Sequence, residues 1–280
     1  MNRLKTYLRE RFPLAPTSAH ALATAALQVG ISSKSGDQGR YGAVLGIAVA
    51  FLFFMLRMRV TDEFKDASHD NANYPNRPVQ RGAIFKRDLV AIGVVSFVLE
   101  LLGVLFAAAS AGKVSNAIWY LPILTYSILT GREFFIGAFL DRHFNLYFLL
   151  HQAIFVLWIV WGFSMFGTSV DSVHFGAAIA FFLLMISMEV VRKYEIRRNA
   201  SGEIVKDTYL AVWGACAFWV LALNLAISSV ALYWLTSSWL VSLVAAISLL
   251  ALLVLRKNSE AVRAIAAVAF LATSAVVFFA

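Results

Sequence analysis

Nine stretches of about 20 mostly apolar residues follow one another along the chain. They lie at roughly 13–32, 41–60, 88–110, 116–134, 144–165, 173–191, 208–228, 231–255 and 262–279. About 20 such residues are what a helix needs to cross a bilayer, so the pattern predicts an all-α polytopic membrane protein with nine transmembrane helices. Composition agrees: 60% of residues are hydrophobic and 14% charged, with a mean hydropathy of +0.75. Soluble domains run at about 45–50% and 25%. The junction of the fourth and fifth stretches is the least apolar, because Arg132, Glu133, Asp141, Arg142 and His143 crowd it. The N-terminal segment (Arg3, Lys5, Arg9, Arg11) reads as a short basic interfacial helix, and no cleavable signal peptide is evident.

The basic residues orient these spans. With the N-terminus inside, 21 of the 24 Lys and Arg fall on the cytoplasmic side, and only Lys34, Arg40 and Lys113 fall outside. That is the positive-inside pattern. It explains the net charge of +8 as membrane orientation, with anionic headgroups as a secondary attraction. The basic residues are dispersed among membrane-flanking loops, so no nucleic-acid surface is expected. The one cysteine, Cys216, rules out a disulfide framework within the chain. The expected location is an inner (cytoplasmic) membrane, and the oligomeric state is not encoded in any feature of the sequence.

Chemistry concentrates in 61–82, TDEFKDASHDNANYPNRPVQRG, directly after the apolar run 41–56. On one continuing helix Asp62, Asp66 and Asp70 fall at i, i+4 and i+8 and point to one side. Like charges at that spacing repel by roughly 0.2–0.5 kcal/mol per pair. With Glu63 they form an acidic row that makes sense beside a cation. Pro75 and Pro78 stop the helix. Arg77 and Arg81 then bring donors suited to phosphate oxygens. Acids for a hard divalent cation next to arginines for an anion read as a metal–diphosphate site at the membrane surface.

A second mixed-charge stretch follows the sixth span, where Glu189 precedes Arg192 and Lys193 by three and four residues. Glu203 and Asp207, again four apart, stand just before the seventh. Near the fourth and fifth spans, Tyr126, Arg132, Glu133, Asn145 and His151 are candidate contacts for a second substrate. Arg132 and Glu133 read equally well as structural partners of Asp141 or Arg142. Aromatic residues cluster around spans 2, 4 and 5. His20 reads as a buried hydrogen-bonding residue.

These motifs resemble the UbiA superfamily of intramembrane prenyltransferases, whose first motif is Asn-Asp-x-x-Asp-x-x-x-Asp followed by Arg-Pro and Gly. Asp62-Glu63-x-x-Asp66-x-x-x-Asp70 keeps that spacing, with Arg77-Pro78 and Gly82 in the matching places. The second motif departs: Glu189 is followed four residues on by Lys193, then by Thr208 and Gly214, and Gly131 precedes Arg132 where a lysine is usual. The resemblance covers the whole chain as one domain, 1–280. It implies nine helices around a central lipid-accessible cavity. It also implies Mg²⁺-dependent transfer of a prenyl group from an allylic polyprenyl diphosphate to a hydrophobic or amphipathic acceptor.

By that resemblance Asp62, Asp66, Asp70 and Glu189 are the catalytic acids. The metal ligands would be Asp62, Glu63, Asp66, Asp70, Glu189 and Asp207, and the diphosphate contacts Arg77, Arg81, Arg192 and Lys193. A terpene cyclase on the same fold is one alternative. A transporter using the acidic row is the other, opposed by acids in loops rather than at the membrane midplane.

Overall fold

The structure, a computed structural model, describes residues 3–34 and 36–280; Ser35, in the polar loop expected on the outer side, lies outside them. The chain divides into two compact units, Met1–Ala25 with Gly39–Leu157, and Ala26–Gln38 with Trp158–Ala280. In chain order the first helices are α1 (Arg3–Arg11), α2 (Leu14–Ser32), α3 (Arg40–Lys65), α4 (Ala67–Asn73) and α5 (Lys86–Ser110). A 3₁₀ turn, Val114–Tyr120, leads into α6 (Leu121–Gly131), followed by α7 (Gly137–Leu140), α8 (Phe144–Gln152) and α9 (Ile154–Phe166). The second unit carries α10 (Ser172–Arg192), a two-stranded hairpin, α11 (Tyr209–Trp213), α12 (Cys216–Thr236), α13 (Trp239–Leu255) and α14 (Ser259–Phe279).

Among the described residues six helical segments are long and apolar enough to cross a membrane: α3, α5, the joined α8–α9, α10, α12 and α14; α13 is apolar but shorter. The protein is an integral membrane protein of all-α class. The first expected span coincides with α2. The fourth is broken, since Val114–Tyr120 is 3₁₀ and α6 has 11 residues, about 16 Å of helix. The expected spans 208–228 and 231–255 need correction. Gly214, at φ 54° and ψ −130°, separates α11 from α12, and Ser237 at φ 52° closes α12, so the spanning segment moves to Cys216–Thr236.

In the first unit α3 and α5 pack along most of their length because glycines remove the side chains between them. A Cβ on Gly46 would lie 2.5 Å from the Ala107 backbone nitrogen, and one on Gly103 would lie 2.6 Å from that of Ala50. Close backbone approach of this kind suits helices in lipid, where packing rather than hydrophobicity drives association. Gly103→Val is therefore expected to lower stability by about 1–3 kcal/mol, read as an earlier thermal transition in detergent. The opposite face of α5 leaves Val94, Val98, Leu102 and Leu105 exposed, as lipid-facing residues are.

The N-terminal helix is more than an interfacial one. Tyr7 is fully buried, in a cluster with Phe12, Leu56, Val60, Ile84 and Leu89. Burial, reinforced by the charge of Glu63, pushes its phenol above the ordinary value.

The second unit is held by polar bonds between apolar helices. Asn224 Nδ2 on α12 donates to Leu183 O (3.2 Å) and Ser187 Oγ (3.1 Å) on α10, and Ser228 Oγ donates to Ala180 O. Asp171 and Asn258 cap α10 and α14 through backbone N–H groups, satisfying donors the helices leave open.

Candidate functional site

The helix carrying the acidic row changes course at Asp66, whose φ −89° and ψ 9° end α3 and begin α4. Backbone bonds still run from Asp66 N to Asp62 O and from Asp70 N to Asp66 O. The three aspartates nevertheless do not share one environment, which corrects the single acidic row. At 3.6 residues per turn each residue advances about 100°, so Asp70 lies about 80° round from Asp62 but only about 20° from Glu63. The side chains sort accordingly into two groups.

The first group surrounds Lys65. Its Nζ lies 3.6 Å from Asp62 Oδ1, 3.8 Å from Asp66 Oδ1 and 3.9 Å from Glu133 Oε1. The ammonium donates to the Tyr147 hydroxyl at 3.1 Å and sits 5.6 Å from that ring's centroid. The Asp62 and Asp66 side chains are 32% and 43% exposed, so both present oxygens to solvent.

Glu63 and Asp70 belong to the second group, which is buried and arginine-paired. Arg11 Nε donates to Glu63 Oε1 at 2.7 Å, and Arg11 also pairs with Asp70 at 3.6 Å. Arg59 pairs with Glu63, and Arg77 pairs with Asp70 while stacking 3.8 Å above the Tyr74 ring. Pro75 and Pro78 fix the turn that returns Arg77 to Asp70, and Gly82 takes the left-handed φ of 73° that closes it. Arg81 instead forms two hydrogen bonds to Glu10 of α1, at 3.0 and 2.8 Å. Those bonds hold the Glu10 carboxyl below the usual carboxylate range.

Glu133 reaches Lys65 from an unusual turn. Glu133, Phe134 and Phe135 have φ of 49°, 54° and 60°, a left-handed run in non-glycine residues. Each such residue costs roughly 1–2 kcal/mol. The turn sets the Phe134 ring edge-on to Tyr126 (5.4 Å) and His151 (5.9 Å), and His151 stacks on Tyr147 at 4.0 Å. The Tyr126 hydroxyl donates to Leu150 O, and His151 Nδ1 lies 2.8 Å from Tyr147 O. Tyr126, Glu133 and His151, three of the candidate contacts read from the sequence, come together in this group. Arg132 and Asn145 are exposed at the end of α6 and the start of α8. Glu133 thus pairs with Lys65, not with Arg142.

In the second unit Glu189 is enclosed by cations. Arg192 donates to both its oxygens, at 2.8 and 2.7 Å; Lys193 Nζ lies 4.0 Å away, and the Tyr209 hydroxyl donates at 3.0 Å. Asp207 pairs with Arg197 at 3.6 Å, and Arg197 also bonds Glu195. Glu203 and Asp207 do not share a helix face. Arg197–Arg198 and Ile204–Val205 form an antiparallel hairpin, whose turn is closed by the Asn199 side chain and by Gly202 at φ 84°.

The donors can be tested against Mg²⁺, which is usually held by one or two carboxylates completed by waters and substrate phosphates. Asp62 and Asp66 fit that description. Glu63, Asp70 and Glu189 fit it less well, since arginines already engage them. Among the described residues no three His, Cys, Asp or Glu side chains form a ready metal cage.

Sequence reasoning passed over Lys65, Tyr147, Arg11 and Tyr209. It also missed a buried pair, Glu100 on α5 with Arg57 on α3. An acid and an arginine inside apolar runs were the available signal for that pair.

The architecture has solved counterparts. The chain is similar to an apo UbiA homologue from Aeropyrum pernix K1, with 13% identity, a TM-score of 0.55 and 94% of each chain covered. A digeranylgeranylglyceryl phosphate synthase structure aligns over 98% of this chain and 99% of its own, with 13% identity and a TM-score of 0.49. No protein-family model matches the sequence, and no curated protein matches it. The fold is therefore that of UbiA-like intramembrane proteins.

Proposed function

We propose that this protein is an intramembrane prenyltransferase moving a prenyl group from an allylic polyprenyl diphosphate to a hydrophobic or amphipathic acceptor. The observation that carries the reading is the pair of solvent-presenting carboxylates, Asp62 and Asp66, at the end of an apolar helix in a UbiA-like fold. When bound there, Mg²⁺ would supply charge to the departing diphosphate.

The chain's own residues do the rest. Asp62 and Asp66 hold the cation, and Lys65 adds a fixed positive charge beside them. Arg77 is kept in place by Asp70 and Tyr74, with further guanidinium donors for phosphate oxygens. In the second unit Arg192 and Lys193 outnumber Glu189, so that group suits an anion. Stabilising the leaving group is where catalysis arises, because ionisation of the allylic bond is the difficult step. The rings of Tyr126, Phe134, Tyr147 and His151 are suited to a carbocation, each face being worth on the order of 2 kcal/mol when desolvated. Glu133, Arg132 and Asn145 orient the acceptor. The excess of Lys and Arg in the motif loops supports a cytoplasmic orientation for them and for the N-terminus in an inner membrane.

The test uses the purified protein in liposomes with a series of allylic prenyl diphosphates, with and without aromatic or lipid acceptors. Diphosphate release that needs an acceptor and yields a prenylated product is expected. Release without any acceptor indicates cyclisation, and Mg²⁺ flux without turnover indicates transport; either result contradicts transfer.

A further inference from the structure

Residues 132–143 leave one apolar segment, α6, and enter another, the joined α8–α9. The turn between them has two faces. On the inner face Glu133 lies 3.9 Å from the Lys65 ammonium, the Phe134 ring meets Tyr126 and His151, and Leu140 is fully buried. Gly137 makes room for this arrangement, since a Cβ there would collide with the Glu133 carboxylate. On the outer face Phe135 is 76% exposed, with Ile136 and Phe139 exposed beside it in sequence. Three large apolar side chains so close together differ from the single ones that any surface carries, and mark a surface that something apolar covers.

The length of the following segment indicates what that is. Phe144–Phe166 has 23 residues, about 34 Å of helix. The hydrocarbon core of a bilayer is about 30 Å thick, with roughly 5–8 Å of headgroup region on either side. A helix that spans the core with so little to spare starts at its edge, which puts the residues just before Phe144 beside the headgroups. Exposed apolar residues also continue on both flanking helices, at Ile128 on α6 and at Leu146 and Leu149 on α8, as on a lipid-facing surface. The end of the segment is polar: Asp141, Arg142 and His143 are exposed, and the His143 ring stacks on Phe139 at 4.2 Å. Aromatic side chains next to a basic one are the mixture that suits the membrane–water boundary, where a long arginine reaches outward to phosphate.

We infer that residues 132–143 are seated in the headgroup layer of the bilayer, with Phe135, Ile136 and Phe139 entering its apolar edge and Arg142 among the lipid phosphates. The partner of this surface is phospholipid. The turn that carries Glu133 to Lys65 on one face is thereby fastened by lipid on the other. The seating depends on no reaction, so it stands or falls apart from prenyl transfer.

Spin labels read the seating directly. In a Cys216→Ser background, Phe135→Cys, Ile136→Cys, Phe139→Cys and Asp141→Cys are each labelled with a nitroxide in phosphatidylcholine nanodiscs. Collisions with oxygen, which concentrates in lipid, are compared with collisions with a water-soluble nickel chelate. Oxygen is expected to dominate at positions 135, 136 and 139, and nickel at 141. Nickel dominating at all four positions puts the segment in water and overturns the seating. Labels at 135, 136 and 139 shielded from both reagents also overturn it, since a protein partner or a second copy then covers the face. The unsubstituted chain gives a second reading that no substitution can disturb. In vesicles containing a diazirine-bearing phospholipid, light is expected to label the tryptic peptide 133–142 as well as the α8–α9 peptide that follows it. Label on α8–α9 with none on 133–142 contradicts the proposal.

Discussion

Arg57→Met is expected to lower the stability of the protein by about 3–5 kcal/mol, the usual cost of removing one partner from a buried ion pair. Glu100 has a fully buried side chain within α5 and accepts from Arg57 Nε at 2.6 Å and Nη2 at 2.9 Å. The Tyr120 hydroxyl adds a bond at 2.9 Å, and Arg57 Nη1 donates to Ser127 Oγ at 3.1 Å. Four side chains from α3, α5, the Val114–Tyr120 turn and α6 therefore share one charge-balanced network. Without Arg57 the carboxylate keeps only a neutral phenol in an apolar setting. The double variant Arg57→Met/Glu100→Leu is expected to recover most of the loss, because apolar replacements of similar size often match a buried pair. Thermal unfolding in detergent, arranged as a double-mutant cycle, measures both effects; equal losses in the single and double variants would count against the network.

Asp66 and Asp70 are expected to fail in different ways. Asp66 is 43% exposed and stands 3.8 Å from the Lys65 ammonium, so Asp66→Ala should leave the thermal transition within about 1 kcal/mol of wild type. Its activity should fall about 10²–10³-fold, the usual loss when one stabiliser of developing charge is removed. Asp70 is buried between Arg77 and Arg11, so Asp70→Ala leaves two guanidinium groups without their shared partner. That variant should lose stability and activity together. Paired melting and turnover measurements separate the two; a stable, active Asp70→Ala protein contradicts the positioning of Arg77.

The helical membrane class and most helix positions were legible because runs of about 20 apolar residues leave the chain few alternatives. The breaks were less so. Nothing in the apolar composition of 208–228 marks the point where Gly214 interrupts the helix, and the turn at Glu133–Phe135 adopts φ values that its side chains disfavour. At the site, the spacing Asp62, Asp66, Asp70 was read as one face, and the angular drift over eight residues together with the change of course at Asp66 divides it. The cations that complete each group could not be ranked from sequence. Arg11 and Arg57 reach acids 52 and 43 residues away, and Lys65 meets Glu133 and Tyr147 only through the fold.

The most direct test of the central claim is diphosphate release from an allylic polyprenyl diphosphate, measured for wild type and Asp66→Ala before and after chelation with EDTA. Wild-type release that stops on chelation and returns with added Mg²⁺, and that is about 10²–10³-fold slower in Asp66→Ala, is the predicted result. Release that persists through chelation, or that Asp66→Ala carries out at the wild-type rate, contradicts the claim that this acidic helix end holds a divalent ion for a diphosphate.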